Sequence, residues 1–204
     1  MHADASLPDG GGRLLYVVGP SGAGKDTVLR AWRDGLPPHA PVAFAQRIIT
    51  RRSSRHPHAE QHEAVDEVQM ERLLVQGLLA LHWRANGLHY GVRRTLLAPM
   101  ERGQWLVLNG SRGQLQALRR LAPRARVVLV TASSPTLAAR LALRGRESAS
   151  EIERRLLRAA ALGESVAADC VIRNEGRVEE AAERLHAWWQ SLASPALTAG
   201  IERC

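Results

Sequence analysis

Lysine is almost missing from this 204-residue chain: of 28 basic residues, only Lys25 is a lysine. Aromatic side chains are also scarce, with five Trp, two Tyr and one Phe. Nucleic-acid surfaces combine basic groups with stacking rings. Here a net charge of +8 rests on arginines that mostly fall singly on predicted helix faces beside glutamates, as in Glu151-Ile152-Glu153-Arg154-Arg155. A nucleic-acid partner is therefore not expected. The two cysteines, Cys170 and Cys204, make neither a disulfide framework nor a metal pattern, which suits a reducing cytoplasm. No apolar run approaches the roughly 20 residues of a membrane span, so no membrane partner is expected either. Residues 2–12 lack the basic and apolar regions of a signal peptide and read as a disordered tail. The eight histidines show no zinc-ligand spacing.

The one lysine closes the run Gly19-Pro20-Ser21-Gly22-Ala23-Gly24-Lys25, directly after the apolar Leu14-Leu15-Tyr16-Val17-Val18. A compact ammonium at the end of a glycine-rich turn is what a phosphate-binding loop requires, because an arginine fork is too bulky for it. Backbone N–H groups of residues 21–25 are expected to cradle phosphate oxygens at the start of the next helix. Lys25 would reach the β- and γ-phosphates. Strand, loop and amphipathic helix (Val28, Leu29, Trp32) follow in the right order, so ATP binding is expected over Gly19 to Thr27. Where the motif asks for Ser or Thr after the lysine, to ligate Mg²⁺, this chain has Asp26 and then Thr27. The sequence leaves open whether Asp26, directly or through water, or Thr27 holds the ion.

Strand and helix signals alternate along the rest. Buried strands are predicted at Arg13 to Val18, Val42 to Ile49, Trp105 to Leu108, Val127 to Val130 and Cys170 to Arg173. Helices are predicted at Lys25 to Arg33, Glu67 to Gln76, Pro135 to Arg144, Ser150 to Leu162 and Val178 to Leu192. Short buried strands spaced by helices imply an α/β fold, a five-stranded parallel sheet flanked by helices. Residues 50–93 break the alternation: short strands at Leu78 to Trp83 and Tyr90 to Arg93 surround the turn dipeptide Asn86-Gly87. That segment reads as an inserted subdomain within a domain spanning 13–192, followed by a loose tail over 193–204.

Several stretches resemble the guanylate kinase family of P-loop kinases. They are Gly-Pro-Ser-Gly-Ala-Gly-Lys, Ile49-Thr50-Arg51, His82-Trp83 through Asn86-Gly87 to Tyr90-Gly91, Arg140 to Gly145 with Ile152 to Ala159, and Val171-Ile172-Arg173-Asn174. The resemblance is continuous from about 13 to 192. It implies an acceptor-binding insert over 50–93, a lid over about 144–155, arginines Arg140, Arg144 and Arg155 that close over the transferring group, and an adenine-side Asn174. The departures carry as much information. The family's guanine-reading glutamate is His82 here, and an acceptor-contacting tyrosine is His62. A serine four places before Arg51 becomes Arg47, and a second acceptor arginine falls on Ser54, beside Arg55. The family's Asp-x-Asp is Asn109-Gly110-Ser111.

These departures are similar to one branch, the ribose 1,5-bisphosphate phosphokinases, in which Asp26 is ordinary. The resemblance implies transfer of the γ-phosphoryl of ATP to ribose 1,5-bisphosphate, giving 5-phospho-α-D-ribose 1-diphosphate and ADP in phosphonate catabolism. Losing a base-reading carboxylate and gaining a cation favours an acceptor with more phosphate and no base. The expected acceptor ligands are Arg47, Arg51, His62, His82, Tyr90 and Asn109. A guanylate or other nucleoside monophosphate kinase, or a non-catalytic kinase-like binding module, are the alternatives. A monomer and a homodimer are both compatible with the sequence.

Overall fold

The computed structural model describes residues 12–51, 62–85, 87–144, 149–163 and 166–193, with the side chains of 144, 149 and 158–163 outside the description. The two terminal tails, Ser54, Arg55, Asn86, the Arg144 side chain and the middle of the expected lid (145–148) fall outside the described residues. The first strand, β1 (Leu14–Val18), is buried along its whole length. So is the strand Trp105–Asn109, while Arg126–Thr131 is buried at its four central positions. Continuous aliphatic runs of this kind form strands covered on both faces. Together with Val42–Phe44 (β2) and Cys170–Arg173 they make a five-stranded parallel sheet flanked by helices. In chain order these strands are β1, β2, β7 (Trp105–Asn109), β8 (Arg126–Thr131) and β9 (Cys170–Arg173), and their order across the sheet is β2-β7-β1-β8-β9. Parallel registers pair Val42 with Trp105 and Val128 with Cys170.

A second, four-stranded sheet has the order β4-β3-β6-β5, where β3 is Ile48–Ile49, β4 Glu63–Ala64, β5 Leu79–Ala85 and β6 Leu88–Arg93. The single strand expected over Val42 to Ile49 is thus two strands in two sheets. The Ala45 N–H still donates to Val107 O, but three residues on Ile48 pairs with Gly91 instead. Changing sheets lets the backbone keep its hydrogen bonds while it turns away from β7. The hairpin β5–β6 is longer than expected, and Gly87 takes φ 74° in its turn, a left-handed conformation glycine adopts without penalty. Helix α2 (Glu67–Val75) begins at a capping box in which the Gln69 N–H donates to Asp66 and the Asp66 N–H to Gln69. Its Met70 and Leu73 bury against Ile48 and Leu79.

The chain divides into two compact units, one of residues 1–16 and 39–126, the other of residues 17–38 and 127–204. The first holds the four-stranded sheet with β2 and β7. The second holds α1 (Lys25–Asp34), β8, β9 and three further helices: α5 (Ser134–Arg144), α6 (Ala149–Gly163) and α7 (Val178–Ala193). Short helices α3 (Ala98–Glu101) and α4 (Leu115–Leu121) belong to the first. In the second unit, α1 and α7 meet through Trp32, whose ring lies edge-on to Trp189 at 6.0 Å and whose N–H donates to His186 Nδ1 at 3.1 Å.

Candidate active site

In the second unit β1 ends in the glycine-rich loop, whose shape is dictated by contact. A Cβ on Gly19 would lie 1.9 Å from the Val130 carbonyl oxygen, and one on Gly24 2.4 Å from Asn174 Nδ2. Gly22 and Gly24 have φ of 90° and 83°, which L side chains rarely adopt. No side chain caps α1 at Gly24, and the Lys25 N–H begins a helix whose partial positive charge suits an anion. Lys25 Nζ donates to Gly19 O at 2.8 Å and to Pro20 O at 3.3 Å, so the ammonium lies over its own loop.

Asn174, expected on the ATP side, and Arg140 and Arg155, expected over the transferring group, converge on this loop. Arg155 of α6 donates to Ser21 Oγ at 2.7 Å. Asn174, at the end of β9 and buried, donates through Nδ2 to Ala23 O at 2.9 Å, while its Oδ1 has no hydrogen-bond partner among the described residues. Arg140 of α5 brings Nη1 to 4.0 Å from where a Gly24 Cβ would be, and that nitrogen is buried without a partner among the described residues. A buried guanidinium nitrogen and a buried amide oxygen left unsatisfied are costly unless a ligand completes them. Asp26 is exposed on the first turn of α1 and Thr27 half-buried beside it. Among the described residues there is no cluster of three His, Cys, Asp or Glu fit to hold a metal by protein ligands alone.

The acceptor candidates belong to the first unit. Arg47, between β2 and β3, holds its guanidinium carbon 5.5 Å from the centroid of Tyr90, which stacks on Trp83 at 5.4 Å with the rings 7° from parallel. The antiparallel register places Trp83 opposite Tyr90, so both side chains stand on one face. His82 is opposite Gly91 and by the pleat stands on the other face. There its Nε2 is 3.1 Å from His89 Nδ1. Burial, with His89 and Arg84 nearby, holds the His82 imidazole below its ordinary pKa and favours its neutral form. The structure therefore brings Arg47 and Tyr90 together and does not bring His82 to their face. His62 is buried, and its Nε2 donates to the Arg51 carbonyl at 2.9 Å, holding the backbone there while the Arg51 side chain is exposed. Thr50 fastens the same segment: its hydroxyl accepts from the His89 N–H at 2.9 Å.

Tyr16 was not among the expected site residues. Its hydroxyl donates to Ser111 O and accepts from the Ser111 N–H, both at 2.9 Å. Its ring sits where a Gly110 side chain would go, 2.0 Å from that Cβ position. This fastens the segment directly after β7, whose last residue, Asn109, is buried. Burial pushes the Tyr16 phenol up to about 12, opposed by the Ser111 bond and the Arg47 charge. The available signal was one hydroxyl in an otherwise aliphatic strand. Glu63 and Arg93 were also missed; they pair across the second sheet, with Arg93 Nε 2.8 Å from Glu63 Oε2. That bond holds the Glu63 carboxyl below its usual range.

A phosphate-binding loop after the first strand of a five-stranded parallel sheet, with arginines from following helices turned onto it, defines a P-loop kinase of the guanylate kinase class. The guanylate kinase of Anaplasma phagocytophilum shares this fold, with a TM-score of 0.68 at 18% identity over 96% of this chain and 88% of that one. No family model matches the chain. Among curated proteins it is 41% identical over 174 residues to the ribose 1,5-bisphosphate phosphokinase PhnN of Thiobacillus denitrificans, covering 85% of this chain and 90% of that one. It is 40% identical over 200 residues to PhnN of Laribacter hongkongensis, covering 98% of this chain but 48% of that longer protein. The chain belongs to the ribose 1,5-bisphosphate phosphokinase family.

Proposed function

We propose that this chain transfers the γ-phosphoryl group of ATP to the 1-phosphate of ribose 1,5-bisphosphate, producing 5-phospho-α-D-ribose 1-diphosphate and ADP. The observation that carries the reading beyond family membership is the chemistry of the second sheet. Among its described strand residues the only carboxylate is Glu63, and it is committed to Arg93. The face bearing Trp83 and Tyr90 offers rings and the Arg47 cation. Such a surface suits phosphate and, among the described residues of these strands, has no uncommitted carboxylate with which to read a guanine amide. The attacking phosphate oxygen is already anionic, so the reaction needs positioning and charge neutralisation rather than a strong base.

On this reading Lys25 and the amides of 21–25 hold the donor phosphates, and Arg140, Arg144 and Arg155 neutralise charge at the transferring group. Arg47, Arg51, Tyr90 and Asn109 bind the acceptor, with His62 fixing the Arg51 backbone. Asp26 and Thr27 are hard oxygen donors that fit Mg²⁺, an ion usually bound by one or two carboxylates plus substrate phosphates. When bound, it neutralises charge on the β- and γ-oxygens. We assign residues 13–192 to one catalytic domain with the acceptor insert near 50–93 and the lid near 144–155, working in the cytoplasm. No helix among the described residues is long and apolar enough to cross a membrane, and Cys170 is a buried thiol in β9.

An ADP-release assay comparing ribose 1,5-bisphosphate with GMP, AMP and dTMP tests the reading. The bisphosphate should give the highest kcat/KM, and Lys25→Ala should abolish turnover in a folded protein. A higher kcat/KM for GMP would assign the chain to guanylate kinases instead. ATP binding without turnover of any phosphorylated acceptor would make it a binding module.

A further inference from the structure

Glu175 lies one residue beyond Asn174 and carries no role in the reaction described above. Its carboxylate is nonetheless the most heavily bonded acidic group of the second unit among the hydrogen bonds described. It accepts from the Ser133 N–H, from the Ser133 hydroxyl at 3.1 Å and from the Thr136 hydroxyl at 2.8 Å. The donors are Ser133, which directly precedes α5, and Thr136 in its first turn; there Ser133 Oγ also accepts from the Thr136 N–H at 3.4 Å and the Leu137 N–H donates to Ser133 O at 2.9 Å. A carboxylate bonded to the N-terminal turn complements the partial positive charge there. These bonds hold the Glu175 carboxyl below its usual range, with Arg140 adding a favourable charge. Arg140 is four residues after Thr136, on the same face of α5. On its other side the dipeptide is tied to the loop by Asn174 Nδ2, which donates to Ala23 O, and to the end of β8 by the Asn174 N–H, which donates to Thr131 O at 2.8 Å.

We propose that the dipeptide Asn174-Glu175 is a clip joining the phosphate-binding loop to the first turn of α5, and that Glu175 is a positioning residue which sets Arg140 against the donor phosphates. The proposal rests on the kinase reading for what Arg140 does, and on the geometry alone for the clip. Both ends of the clip are polar and short, so a shift of α5 is passed to Ala23 through one peptide unit rather than through a compressible apolar contact. Removing the carboxylate should let α5 and the loop move independently. Arg140 would then lose its alignment with the transferring group while the loop still binds ATP.

Steady-state kinetics and hydrogen–deuterium exchange on the full chain test this. Glu175→Ala should lower kcat on the order of tenfold, the scale of loss expected when a clamping group is displaced, with both KM values within about twofold. Glu175→Gln, which keeps an oxygen acceptor but not the charge, should recover part of the loss. In the same Glu175→Ala protein, amides of the first turn of α5 and of residues 21–24 should both exchange faster, although the hydrogen bonds described for the Glu175 carboxylate go to Ser133 and Thr136. An unchanged kcat, or faster exchange confined to α5, would reduce Glu175 to an ordinary helix cap. The exchange result stands even if ribose 1,5-bisphosphate is not the acceptor, so failure of the clip and failure of the kinase assignment are read separately.

Discussion

Replacing Arg47 by alanine is the most direct probe of the acceptor site. The guanidinium is stacked over Tyr90 at 5.5 Å and lies near enough to Tyr16 to oppose the rise in its pKa. A charge-assisted hydrogen bond to a phosphate oxygen contributes roughly 1.5–3 kcal/mol. With about 1.4 kcal/mol per factor of ten, the KM for ribose 1,5-bisphosphate should rise roughly ten- to a hundredfold. The stacking on Tyr90 exists before substrate arrives, so it orients the fork and is not added to the binding loss. Arg47→Lys keeps the charge but not the planar fork or its stacking, and should fall between wild type and alanine. The assay titrates the bisphosphate at saturating ATP, then ATP at saturating bisphosphate, following ADP release. Thermal melts check that the fold survives. If the KM for ATP rises as much as that for the acceptor, Arg47 is not an acceptor ligand and the reading of this face is wrong.

Gly24→Ala should abolish ATP binding measured by calorimetry, since its Cβ would meet Asn174 at 2.4 Å on a backbone with φ 83°; near-normal affinity would mean that the loop is not the donor site. Arg155→Ala removes the bond to Ser21 and should cut kcat by about tenfold or more with little change in ATP affinity, and a purely KM effect would refute a role at the transferring group. Tyr16 tests stability rather than binding. Its folded pKa of about 12 exceeds the ordinary 10.0, so its neutral form stabilises the fold fully below pH about 10. That contribution, about 2–3 kcal/mol at most, is lost as pH rises from about 10 through about 12. Urea melts across that range should steepen in their pH dependence for wild type and flatten for Tyr16→Phe. Identical slopes would show that another group is responsible.

The phosphate-binding loop was legible in the sequence because its chemistry is local: seven consecutive residues supply the glycines, the amides and the ammonium, directly after a strand recognisable from its aliphatic run. The parallel sheet was legible for a similar reason, since a strand buried on both faces must be continuously apolar. Other features depend on pairings between distant segments, which no local pattern specifies. The break between β2 and β3 arises because Ala45 can still bond to Val107 while Ile48 is already opposite Gly91. Which face His82 occupies is set by the register that places Trp83 against Tyr90. The fastening of Ser111 by Tyr16 joins residues 95 apart, and that of Ser133 by Glu175 residues 42 apart. Short-range periodicity determined which segments would be strands, helices and phosphate loop. Only the folded chain, by pairing polar groups with partners far along the sequence, decided which side chains share a site.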